Sequence, residues 1–198
     1  MLEGQETIRR ALRLVGQRLA AQGIEIGIVI IGGAALNLRG IVSRATVDVD
    51  IVALTTADGD PGDLVSAAPL PAALLESVQQ VAVELRLAPD WLNSAPADLL
   101  RLGLPSGFVE GLEWEEFGGL RVGIPDRVGL IPLKLYAAAD ANWAGPDRHQ
   151  RDLRAMHPTH EELVAANAWV RTQDASEEMN ILVQRVIKEI IRDERRDP

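Results

Sequence analysis

The chain has 198 residues, 47% of them hydrophobic, a formal net charge of −9 and no cysteine. That length holds one full domain, or a compact domain with a helical extension, and buries a sizeable core. Without thiols there are no disulfides or thiolate metal sites, and the acidic balance argues against a broad grip on nucleic acid, which depends on Lys and Arg displacing counterions from phosphates.

No apolar run reaches the roughly 18 to 20 residues of a membrane span. The opening segment, MLEGQETIRRALRLVGQRLAAQG, patterns as an amphipathic helix rather than a signal peptide, so a cytoplasmic setting is expected. Within it Ile8, Leu12, Val15 and Leu19 fall at helical spacing, which predicts a helix over about residues 5–22, ended by Gly23. IEIGIVII, residues 24–31, is rich in β-branched residues and predicts a central strand. GGAALNL then reads as a tight turn entering a helix, and TVDVDIVAL, residues 46–54, as a second strand. TTADGDPGD, residues 55–63, carries the turn chemistry of an exposed loop. PAALLESVQQVAVEL predicts a helix, APDWLNSAPADLLRLG a mixture of turns and short helix, and EWEEFGGLRVGI a hairpin turning at Gly118-Gly119. From Asp126 onward the pattern is helical, broken near Gly145-Pro146 and at Pro158. The last helix has Ser176 to cap it and a wide apolar stripe through Leu182, Val183, Val186, Ile187, Ile190 and Ile191, read as packing surface or as a dimer contact.

Asp48 and Asp50 are the anomaly in this pattern, because they interrupt an apolar strand. In a strand, side chains two apart share a face, so the two carboxylates project together and Val47, Val49 and Ile51 project to the other side. Two such carboxylates, about 7 Å apart at the backbone, repel one another unless a cation lies between them. Mg²⁺ suits them: it takes carboxylate oxygens and completes its shell with water and substrate phosphates. Gly32 and Gly33 supply the complementary feature, a place where backbone can approach a ligand closely and open a helix. Thr46 is expected on the Asp48 face, and Arg44 is expected to neutralise phosphates or pair with an aspartate.

These residues carry a resemblance. GGAALNLRGIVSRATVDVDIVAL is similar to the signature of the nucleotidyltransferase superfamily, the fold of DNA polymerase beta, in which a Gly-Gly or Gly-Ser pair precedes an Asp-x-Asp. The wording from Arg44 to Asp50 resembles the minimal nucleotidyltransferase-like proteins grouped with the AbiEii toxins of type IV toxin–antitoxin systems. IPDRVGLIPLKLYAAADANWAGPDRHQRDLRAM, residues 124–156, is similar to the downstream block of that group, with Lys134 and Asp152 at its lysine and aspartate. The resemblance spans roughly residues 24–156. It implies an α+β chain: a minimal nucleotidyltransferase core with a small mixed sheet over residues 1–125, and a helical C-terminal half over residues 126–198.

The activity implied is magnesium-dependent transfer of a nucleoside monophosphate from a nucleoside triphosphate to an acceptor hydroxyl on an RNA end, a protein or a small molecule. Asp48 and Asp50 would hold Mg²⁺, and Gly32, Gly33, Arg44 and Thr46 would bind the triphosphate. Lys134 would offset charge on the leaving pyrophosphate, and Asp152 would assist the acceptor. Read from residues alone, Lys134 among apolar neighbours needs an anionic partner or an exit to solvent. The third carboxylate of full superfamily members has no clear counterpart; Glu113, Glu115, Glu116 and Asp90 are candidates, as is Asp152. His157 and His160 flank Pro158 with no third ligand and do not read as a zinc site. The rival readings are a nucleotide-binding module without turnover and an interaction partner in a two-gene system, with an antitoxin-like protein or a second copy on the C-terminal stripe.

Overall fold

The computed structural model describes residues 1–55, 63–140 and 148–194. The expected loop over 55–63 and the break at Gly145-Pro146 fall largely or wholly outside them. The chain divides into two compact units, residues 1–104 with 109–126, and residues 105–108 with 127–198.

In the first unit β1 (Leu2–Glu3) leads into α1 (Gly4–Ala21), β2 (Ile26–Ile31) and α2 (Gly32–Leu38). β3 (Ala45–Thr46), β4 (Val49–Thr55), β5 (Leu64–Ser66) and α3 (Ala72–Leu85) follow. β6 (Leu92–Asn93), a 3-10 turn at Ala95–Ala97, α4 (Asp98–Leu102) and the hairpin β7 (Glu113–Phe117) and β8 (Leu120–Ile124) complete it. The main sheet is mixed. Its order is β5-β4-β2-β8-β7, with β2 antiparallel to β4 and parallel to β8, and β6 added in parallel beside β4. β2 is central because its side chains from Ile28 to Ile31 are buried on both faces, as a strand of unbroken β-branched residues requires.

α1 presents Ile8, Leu12, Val15 and Leu19 to the interior and packs against α3 and β8. Gly16 makes that approach possible. The β7–β8 turn lies directly on the helix, the Gly119 N–H donates to the Gly16 carbonyl at 2.9 Å, and a Cβ on Gly16 would run into the Phe117 carbonyl. At the far end of the sheet Arg39 fastens α2 to the hairpin. Its guanidinium donates to the carbonyls of Pro125, Gly111 and Ile124 and pairs with Glu113.

The strand expected over residues 46–54 is two strands. Ala45–Thr46 pairs with β1, Thr46 opposite Leu2, and the chain bends at Val47 before β4 starts at Val49. The bend turns Val47 outward, 55% exposed, so it does not share the buried face of Val49 and Ile51. β6 likewise emerges from a segment read as turns and short helix. Its two residues are held by the Val49 N–H, which donates to the Trp91 carbonyl at 2.6 Å, and by the burial of Trp91, whose indole N–H reaches the Val78 carbonyl.

The second unit is helical: α5 (Arg127–Asp140), α6 (Arg148–Ala155), α7 (His160–Gln173) and α8 (Glu177–Glu194), with α5 packed on the other three. Pro158 separates α6 from α7, as the sequence implied. α7 opens with a capping box in which Thr159 and Glu162 satisfy each other's backbone N–H groups. Burial raises the Glu162 carboxyl, but the Thr159 N–H and Arg127 outweigh it and hold it below the ordinary carboxylate range. Ser176 accepts from the Met179 N–H at the start of α8, and Leu182, Val183, Val186, Ile187 and Ile190 are buried. Among the described residues no helix is long and apolar enough to cross a membrane.

The contact at Gly16 sets a test of the packing. Gly16→Ala forces a methyl group onto a backbone carbonyl that the hairpin cannot easily withdraw, and it is expected to destabilise the chain by about 2 kcal/mol or more. Urea unfolding followed by circular dichroism measures it; a native-like midpoint would contradict the packing of the hairpin turn on α1.

Candidate functional site

The sheet brings one end of β2 to one end of β4. β2 and β4 run antiparallel, with Ile31 opposite Asp50, so the residue after β2, Gly32, comes to lie beside the Asp50 side chain. Gly32 has φ +77°, in the left-handed region, and a Cβ there would collide with Asp50 Oδ2. Both features require glycine. The carboxylate thus occupies the space that a side chain at position 32 would fill.

Gly33 is covered in the same way from the β3 side. A Cβ at Gly33 would lie 2.9 Å from Thr46 Oγ1 and 3.1 Å from Arg44 Nη2, so the hydroxyl and the guanidinium sit directly on the glycine backbone. The Arg44 guanidinium also donates to its neighbour's carbonyl at Ala45, and Thr46 Oγ1 donates to the Asp48 carbonyl at 3.3 Å. Thr46 is 2% exposed and anchored by the β1 pairing. Gly32, Gly33, Arg44, Thr46 and Asp50, singled out separately in the sequence, therefore form one cluster.

Asp48 lies just outside β4, half-buried, two residues before Asp50. The expectation that both aspartates belong to one regular strand is corrected here, since the bend at Val47 precedes Asp48 and only Asp50 is inside the ladder. The donor set suits a hard divalent cation. Its placed member is the Asp50 carboxylate, and the glycine cradle leaves one Asp50 oxygen space that any other residue would take. Among the described residues no group of three or more His, Cys, Asp or Glu gathers into a metal-binding cluster, so the rest of a cation's shell would come from water and phosphate oxygens.

Two asparagines join the cluster without having stood out in the sequence. Asn37, on α2, is 1% exposed; its amide N–H donates to the Gly33 carbonyl at 2.9 Å and its oxygen accepts from the Arg44 backbone N–H at 3.3 Å. It ties the loop bearing Arg44 to the glycine pair. A lone polar residue in the apolar run GGAALNL was the available signal. Asn93, on β6, is the register partner of Asp50 and faces its carboxylate, with Nδ2 3.5 Å from Oδ1. Only the strand pairing reveals it.

The glutamate candidates for a third carboxylate do not reach this site. Glu113, Glu115 and Glu116 are on β7, three strand spacings, or roughly 14 Å, from β4. Each is committed to an arginine: Glu113 to Arg39, Glu115 to Arg9 and Glu116 to Arg121. Asp90 is exposed, and its backbone carbonyl receives the Asn93 amide.

In the helical unit Lys134 and Asp152 meet each other. Lys134 Nζ donates to Asp152 Oδ2 at 2.8 Å, with the two side chains 5% and 2% exposed. The anionic partner that Lys134 needed among its apolar neighbours is Asp152. The pair joins α5 to α6. Comparisons with known protein families, with curated proteins and with solved structures find no match to the chain.

Removing one member of a buried pair strands the other charge. Lys134→Ala is expected to cost about 3–5 kcal/mol, whereas the apolar double substitution Lys134→Met/Asp152→Leu recovers most of that loss. Chemical denaturation of the two variants beside the native chain measures both. Additive losses in the double variant would show that the ion pair is not the source of the effect.

Proposed function

We propose that the chain is a magnesium-dependent nucleotidyltransferase of minimal nucleotidyltransferase fold, with the triphosphate bound where β2 gives way to α2. The observation that carries this reading is the joint occupation of the glycine pair: Asp50 over Gly32, Arg44 and Thr46 over Gly33. A metal-binding carboxylate and a phosphate-binding cation then stand one residue apart along the same backbone turn. Phosphoryl transfer is catalysed mainly by positioning and by neutralising charge, and this cluster has the residues for both.

In this reading Asp48 and Asp50 hold Mg²⁺. Bound there, the ion would supply charge neutralisation on the phosphate oxygens. Arg44 pairs with a phosphate through its fork of N–H donors, Thr46 Oγ1 hydrogen-bonds an oxygen nearby, and the absence of side chains at Gly32 and Gly33 lets Asp50, Arg44 and Thr46 close on one backbone turn. The acceptor oxygen bonds to the α-phosphorus while the bond from that phosphorus to the bridging oxygen breaks. Pyrophosphate departs with the electron pair and the hydroxyl proton is released. The sequence resemblance assigns Lys134 to the pyrophosphate and Asp152 to the acceptor; either role requires the 2.8 Å ion pair to open.

That closed pair favours a second reading, a nucleotide-binding module of the same fold without turnover, because each group neutralises the other. The two readings differ in pyrophosphate release. A ligand that binds only the folded chain stabilises it by mass action, about 2.7 kcal/mol at a hundredfold excess over Kd. Magnesium with a nucleoside triphosphate is therefore expected to raise the melting temperature of the native chain and leave Asp48→Asn/Asp50→Asn unchanged. Equal shifts in both proteins would sink the site assignment, and stabilisation of the native chain with no pyrophosphate released in the presence of cell extract would select the binding module.

A further inference from the structure

We propose that Asn93 is a positioning residue for the Asp50 carboxylate, fixing which of its oxygens is offered to a divalent cation. The proposal deepens the reading above and rests on it.

The backbone around Asn93 is unusually well held for a two-residue strand. Trp91 is fully buried and hydrogen-bonded through its indole, Leu92 is 2% exposed, and the parallel pairing sets Leu92 against Val49 and Asn93 against Asp50. The side-chain amide is oriented as well. Its oxygen accepts the Ala95 backbone N–H at 2.9 Å, a role that nitrogen cannot take, so the NH₂ group turns toward Asp50 Oδ1 and the Asp90 carbonyl, each 3.5 Å away.

Asp50 is thus addressed at both oxygens. Oδ1 faces the Asn93 amide and Oδ2 lies over Gly32. With one oxygen facing a neutral donor that cannot lose its proton in the accessible pH range, the other is directed at the glycine turn, where the phosphates are proposed to bind. A separation of 3.5 Å is long for a hydrogen bond, and such contacts shorten when a site takes its ligand. An acidic residue at position 93 would add repulsion and an apolar one would remove the donor from the Oδ1 side of Asp50. An amide does neither. Outer partners of this kind commonly contribute about ten- to a hundredfold to metal affinity.

The test compares two substitutions of the same shape, Asn93→Thr and Asn93→Val, both β-branched and compatible with a strand. Threonine keeps an acceptor for the Ala95 N–H, but its hydroxyl is one bond shorter than the amide and falls short of Asp50; valine keeps neither acceptor nor donor. Mn²⁺ alone is titrated into the native chain and both variants, with free ion followed by electron paramagnetic resonance and folding verified by circular dichroism. The native chain is expected to bind Mn²⁺, and Asn93→Thr and Asn93→Val each about tenfold more weakly. Native affinity in Asn93→Thr, which keeps the turn to Ala95 and loses only the donor toward Asp50, overturns the proposal while leaving the site assignment intact. No Mn²⁺ binding by the native chain removes the site assignment and the proposal together.

Discussion

The pairing of Ile31 with Asp50 is the constraint on which the candidate site depends. It holds a carboxylate beside a backbone turn that could accept no side chain, and everything else in the cluster is arranged about that point. β2 is fixed by burial on both faces, and β4 is fixed by β2 on one edge and by β5 and β6 on the other. The position of Asp50 is therefore set by a strand paired on both edges. Arg44 and Thr46, by contrast, lie at and just before the two-residue strand β3, and the chain secures that segment twice: through the β1–β3 pairing and through the amide of Asn37. A strand paired on both edges carries the carboxylate, and a short tethered strand and the residue before it carry the hydroxyl and the cation.

The helical unit uses charge differently. Lys134 and Asp152 are enclosed and mutually neutralised, and the pair lies in the contact between α5 and α6 rather than on an open surface. Desolvation of two charges offsets much of their attraction, so such a pair stabilises little over an apolar replacement while making either single loss expensive. That asymmetry makes the pair a register device for two helices as well as a candidate for chemistry. The two roles leave different signatures, because a register role is recovered by an apolar pair and a chemical role is not.

The elements with a clear period are legible in the sequence alone: α1 from Ile8, Leu12, Val15 and Leu19, the hairpin from its Gly-Gly turn, α8 from its stripe. The glycine pair and the aspartates are legible as anomalies, glycines ending an apolar run and acids interrupting one. The bend at Val47 is not, because a two-residue strand pairing with the second and third residues of the chain has no local period to announce it. β6 is hidden for the same reason, and with it Asn93, whose importance comes entirely from a neighbour 43 positions away. The ion pair is half visible. A lysine in LIPLKLYAAA demands a partner, but nothing in the spacing names Asp152 over the arginines and solvent that also compete for it.

The proposed chemistry turns on which phosphorus moves. Nucleoside triphosphates labelled separately at the α- and γ-phosphorus, incubated with the chain, magnesium and cell extract, distinguish the outcomes directly. Nucleotidyl transfer at this site predicts that α label becomes covalently attached to an acceptor, that γ label appears as pyrophosphate, and that neither occurs with Asp48→Asn/Asp50→Asn. Transfer of the γ label to the acceptor, or attachment of the α label that persists in the doubly substituted chain, would contradict it.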